Sequence, residues 1–98
     1  MNNIYLIVLY DYYKELLTDR QKDYFESYYF HNLSLGEIGT NMNVSRNAIH
    51  KELKIIENKL TLYEEKLGLY KKDQELLSLV KKINDEKLKS KLIELIEK

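Results

Sequence analysis

The sequence has no cysteine, no tryptophan and no proline, and only three of its 98 residues are glycine. The missing cysteine excludes disulfides, thiolate nucleophiles and thiolate metal sites together, and fits a reducing compartment. Without proline and nearly without glycine, the turn punctuation of β-proteins is absent and long uninterrupted helices are favoured, so an all-α fold is expected. Charge of one sign is lacking too, because Lys plus Arg equals Asp plus Glu at 16 each. The molecule as a whole then exerts no pull on a phosphate backbone, and any nucleic-acid site must be local. The apolar run Ile4 to Tyr10 is too short to span a bilayer. It has no basic residue before it and no small-residue cleavage site after it, and Asp11 and Lys14 interrupt it. It is read as buried protein surface, and a cytoplasmic protein is expected.

Apolar residues make up 44% of the chain and charged ones 33%, enough apolar surface to offset chain entropy, so the chain should fold. Its length suits one domain, residues 1–98, with a head at 18–60 and a helical extension at 61–98. Residues 4–17 are apolar on nearly every side. Periodicity leaves helix or strand open there, and length together with the lack of a partner strand favours helix. Thr18 or Asp19 caps a helix reaching about His31, with Tyr24, Phe25, Tyr28 and Tyr29 on one face. Ser34 and Glu37 have capping-box spacing ahead of a short helix, Leu35 to Met42, with Leu35, Ile38 and Met42 facing inward.

Ser45 is the next cap. From Ile49 the apolar positions Leu53, Ile56, Leu60, Tyr63, Leu67 and Tyr70 follow alternating steps of four and three, a heptad seam. A helix from Ser45 to Tyr70 would run roughly 39 Å. Its distal part needs another surface to cover it, and Gly68 lets it stop anywhere from Glu65 to Lys71. A helix from Asp73 carrying Leu76, Leu77, Val80 and Ile83, and another after Asn84-Asp85 carrying Leu88, Leu92, Ile93 and Ile96, form a C-terminal hairpin. The apolar N-terminal segment and the distal seam together predict self-association, a homodimer.

Leu33 to Leu60 reads as short helix, tight turn and longer helix, the arrangement of a helix-turn-helix with a long recognition helix. Val44, Ala48, Ile49, Leu53 and Ile56 fall inward. Arg46, Asn47, His50, Lys51 and Lys54 are left outside, of types that contact phosphates or base edges, and they are the candidate nucleic-acid-binding residues. Ser45 to Leu60 holds four basic residues against two acidic ones. That surplus supports only weak binding by one module, about 10⁻⁴ to 10⁻⁶ M.

Residues 18–60 resemble region 4 of bacterial sigma factors through Leu17-Thr18-Asp19-Arg20-Gln21, Leu35-Gly36-Glu37-Ile38 and Val44-Ser45-Arg46-Asn47-Ala48-Ile49. More specifically, LYDYYKELLTDRQKDYFESYY (9–29), LSLGEIGTNMNVSRNAIH (33–50) and YEEKLGLYKK (63–72) resemble the YlxM-type helix-turn-helix family of Gram-positive bacteria and mycoplasmas. The resemblance covers residues 5–72. It implies a small all-helical protein encoded beside signal recognition particle genes. As its role it implies a non-enzymatic accessory that contacts the particle's GTPase, its RNA or both. A dimeric DNA-binding transcription regulator is the alternative. Gly39, where the sigma-like helix usually has alanine, and Lys51-Glu52-Leu53 depart from the sigma pattern.

No residue set supports catalysis, a cofactor or a metal. The only histidines, His31 and His50, lack a second ligand at metal spacing, and no Walker loop, dinucleotide fingerprint or triad pattern occurs. Nine tyrosines would allow base stacking. Tyr24, Tyr28 and Tyr29 share a face with Phe25, however, and are read as packing with hydroxyls at the rim.

Overall fold

A short polar side chain decides where most of the helices begin. In the computed structural model, which describes residues 4–97, Thr18 Oγ1 accepts the Gln21 N–H at 3.1 Å while Gln21 Oε1 accepts the Thr18 N–H at 3.0 Å. Ser34 and Glu37 form the same reciprocal box at 3.0 and 2.9 Å. Ser45 Oγ accepts from the Ala48 N–H at 3.0 Å, and Asp85 from the Leu88 N–H at 3.1 Å. Each bond satisfies a backbone donor that the first helical turn leaves unpaired.

Six α-helices result among the described residues: α1 Ile4–Tyr13, α2 Asp19–Tyr29, α3 Leu35–Met42, α4 Arg46–Leu67, α5 Leu69–Val80 and α6 Glu86–Ile96. A single 3₁₀ turn, Lys14–Leu16, continues α1 toward the Thr18 cap. No strand occurs among the described residues, so the ambiguity at 4–17 resolves to helix. No described helix is long and apolar enough to cross a membrane. The α2 helix stops at Tyr29, two residues short of the expectation, because Asn32 takes a left-handed conformation at φ 56°. Asn43 does the same at φ 59° after α3. Both positions are asparagine, the residue other than glycine that best tolerates this region.

The start of α5 corrects the sequence reading. It lies at Leu69 rather than Asp73, because Gly68, itself left-handed at φ 60°, ends α4 and begins α5 with no linker between them. The hairpin helices also stop short of Ile83, which lies in the turn before α6.

Two compact units are present, Met1–Lys66 and Leu67–Lys98. In the first, α1, α2 and α4 enclose Leu9, Tyr10, Tyr13, Leu17, Tyr24, Phe25, Ile49, Leu53, Ile56 and Leu60, with Ile38 of α3 also buried. The heptad seam is therefore buried from Ile49 to Leu60 within the chain, and Tyr63 meets Tyr13 at a ring separation of 5.9 Å. Leu67 breaks the pattern, standing 55% exposed. Leu35 and Met42, expected to face inward, are only half-buried. The Tyr10 ring stacks on Phe25 at 4.3 Å, and Phe25 stacks on Tyr29 at 4.3 Å.

Each pair among these three helices is joined by a tyrosine hydroxyl donated to a glutamate. Tyr10 donates to Glu26 between α1 and α2, and Tyr29 to Glu57 between α2 and α4. Tyr13 donates to Glu64 at 2.6 Å between α1 and α4. Burial first, and then the bond to the carboxylate, raises the Tyr10 and Tyr29 phenols well above the ordinary tyrosine range.

The sign of the pH dependence follows. An unfolded chain releases phenolic protons near pH 10, whereas the folded chain retains those of Tyr10 and Tyr29. Their contribution is complete below about pH 10 and is lost as pH rises toward the folded values. The midpoint of urea unfolding should then fall from about pH 10 upward, and less steeply in Tyr10→Phe and Tyr29→Phe than in the wild type. At pH 7 each variant should lose about 1.5–3 kcal/mol, the worth of a hydrogen bond to a charged group. An alkaline slope identical in variants and wild type would contradict this account.

Candidate nucleic-acid interface

The outer face of α4 depends on how α3 and α4 meet. The Asn43 N–H donates back to the Gly39 and Thr40 carbonyls, and the Val44 N–H to the Gly39 carbonyl at 2.9 Å. The turn thus folds directly onto α3. A Cβ on Gly39 would lie 2.7 Å from the Val44 carbonyl oxygen, 3.3 Å from the Ser45 carbonyl carbon and 3.4 Å from the Arg46 nitrogen. Real Cβ atoms do not approach backbone so closely. Glycine at this position therefore meets a packing requirement: it lets the start of α4 rest against α3.

With that start placed, Ile49, Leu53 and Ile56 are buried, as the periodicity implied, while Val44 and Ala48, also expected inward, are only half-buried. Arg46, Asn47, His50, Lys51 and Lys54 are all exposed. They occupy the first two and a half turns of α4, beginning beside the Ser45 cap. The row is not electrically uniform. Lys54 Nζ lies 4.0 Å from Glu57 Oε1, which offsets part of its charge, whereas Arg46 and Lys51 have no ion pair among the described residues. Glu37, at the start of α3, is exposed, and its carboxyl is held below the usual range by the Ser34 backbone N–H and then by the Ser34 hydroxyl.

Charge is divided between the two units. Met1–Lys66 carries eight Lys and Arg against ten Asp and Glu, whereas Leu67–Lys98 carries eight against six. The unit holding the helix-turn-helix is therefore slightly acidic overall, and the α4 row is a local cationic feature within it. Sequence reasoning missed the partners of the acidic residues. Glu26, Glu57 and Glu64 each accept a tyrosine hydroxyl from another helix, and nothing in local spacing announces a bond across 16 to 51 positions of chain.

All residues 1–98 match the family described as "Putative helix-turn-helix protein, YlxM / p13 like". A UPF0122 protein of Caldanaerobacter subterraneus subsp. tengcongensis is 45% identical over 82 residues, covering 84% of this chain and 70% of that protein. Another from Desulforamulus reducens is 55% identical over 78 residues, covering 79% and 67%. One from Bacillus velezensis is 42% identical over 97 residues, covering 92% and 88%.

Gly39→Ala should destabilise the protein by about 1–3 kcal/mol, the usual cost of overpacking. Alanine's propensity advantage of about 1 kcal/mol in a helix interior points the other way. Thermal denaturation of the variant decides between them, and a higher melting temperature would show that α3 and α4 do not rest on one another at Gly39.

Proposed function

Because this chain belongs to the UPF0122 family of YlxM/p13-like helix-turn-helix proteins, we propose that it is a non-enzymatic accessory of the signal recognition particle that binds the particle's RNA through the outer face of α4. The observation that carries this reading is the exposed row Arg46, Asn47, His50, Lys51 and Lys54, held at a capped helix start with its inner face locked into the core. The residues divide by what they can do. Arg46 and Asn47, in the first turn, have the reach and the forked donors suited to base edges and phosphates, and Lys51 and Lys54 act as point charges on phosphate without reading sequence.

The weak net field of this unit supports a target already concentrated near the protein over a search along genomic duplex, since long-range steering and non-specific affinity both scale with positive charge. The resemblance to the YlxM-type family supplies the particle, because it implies a gene beside those of the signal recognition particle. A cytoplasmic site of action follows from this reading. Docking on the particle's GTPase through the same face is the competing outcome.

One observation favours the second reading, a dimeric regulator on duplex DNA. Ile55 and Leu62 stand one heptad apart on α4 and are 46% and 48% exposed, a pair that a second copy would cover. Leu60 is fully buried inside the chain, so a charge there would unfold the protein rather than report on assembly. Ile55→Glu with Leu62→Glu is the informative change. If sedimentation shows a wild-type dimer that this variant dissolves, and only the dimer retains duplex DNA, the second reading replaces the first.

The direct experiment measures anisotropy with the particle RNA, an unrelated folded RNA of equal length and duplex DNA, across a salt series. The wild type should prefer the particle RNA. Lys51→Gln should weaken binding and lower the salt slope by about 0.7–0.9, the value of one phosphate contact. Lys54→Gln should do less, because Glu57 already offsets that charge. Equal binding by the wild type and a Lys51→Gln/Lys54→Gln variant with unchanged helicity would turn the face into a protein-docking surface.

A further inference from the structure

Next to the basic row lies a small cleft with an apolar floor, lined by Tyr28 of α2, Leu35 of α3 and Leu53 of α4, with His50, Lys54 and Glu57 of α4 around them. Tyr28 differs from the other tyrosines of this core. Tyr10, Tyr13 and Tyr29 give their hydroxyls to glutamates, and the Tyr24 oxygen accepts from Arg20 Nε at 2.6 Å. The Tyr28 hydroxyl has no hydrogen-bond partner among the described residues and reaches solvent, while the half-buried ring meets Tyr29 edge-on at 5.0 Å. Glu57 does not leave the cleft anionic, since it accepts from Tyr29 and lies beside Lys54.

An aromatic and aliphatic floor next to two nitrogen-bearing side chains complements a flat base whose neighbouring phosphates are negative. The enclosed space is about 30 Å³, room for a single water. A base would therefore lie across the mouth and not enter a pocket. A base inside a helical stem has both faces stacked on its neighbours and edges held in pairing, so only an unpaired one can present a face to the cleft.

We propose that this cleft is a stacking platform for one unpaired nucleobase of the bound RNA, seated against Tyr28 with Lys54 and His50 on the adjoining phosphates. This rests on the RNA reading above and extends the binding face from α4 onto α2. It also gives the protein a means of choosing an RNA with a bulge or loop over a plain stem, which Lys51 and Lys54 as point charges cannot do.

The test uses the full chain and two RNA stems of the same sequence, one fully paired and one with a single bulged 2-aminopurine. The wild type should bind the bulged stem more tightly, and the fluorescence of the probe base should fall as it stacks. Tyr28→Leu keeps the apolar packing and removes the aromatic face. It should weaken binding to the bulged stem roughly five- to a hundred-fold, leave the paired stem unchanged and abolish the quench. Tyr28→Phe should retain both preference and quench. If the wild type binds the two stems equally, or if Tyr28→Leu keeps the preference and the quench, the platform is overturned while the RNA reading stands, provided Lys51→Gln weakens binding to both stems. If the wild type binds neither stem yet binds the particle RNA, the platform is overturned and the RNA reading stands; if it binds none of the three, both fall.

Discussion

Three tyrosine hydroxyls, each donated to a glutamate on a neighbouring helix, hold α1, α2 and α4 to one another, and the rest of the structure depends on that triangle. The rings supply buried area and stack through Tyr10, Phe25 and Tyr29, and their polar ends need a partner once they leave water. A carboxylate is the strongest acceptor available, and using one at each contact fixes relative register where apolar packing alone would tolerate sliding. The arrangement commits three half-buried glutamates to contacts between helices. One of them, Glu57, follows the cationic row on α4 by three residues and is engaged by Tyr29 and Lys54.

A second constraint acts at the turn. Gly39 and the left-handed Asn43 together let the chain reverse within three residues and set the first turn of α4 against α3. The exposed row then starts at the capped end, with Arg46 and Asn47 in the first turn of α4. The affinity available to such a row is limited by its few uncompensated charges, so selectivity must come from shape and from contacts beyond lysine. The cleft at Tyr28 lies in the right place for that, bordered by two members of the row.

Much of this was legible in the residue order because it is local. Helix capping involves residues three apart, and the Ser34 and Glu37 box, the Ser45 cap and the bounds of α3 all follow from such spacing. The buried face of α4 from Ile49 to Leu60 follows from its period, which also identified the five outward side chains. Membership of the helix-turn-helix family was readable from motif order for the same reason. Local signals failed where a backbone angle decided the outcome. Asp73 looked like a helix start, yet Gly68 began α5 earlier by adopting a conformation that composition does not reveal.

The sequence alone thus determined the helical class, most helix boundaries and which face of α4 looks outward, since each is set by interactions within about one or two turns of chain. Only the tertiary structure decided what covers the apolar N-terminal segment, which glutamate each tyrosine meets, why position 39 must be glycine and which tyrosine stays free beside the basic row. Those outcomes join residues 16 to 51 apart or test the space around a single atom. No short-range periodicity encodes them, because they arise only when whole helices pack.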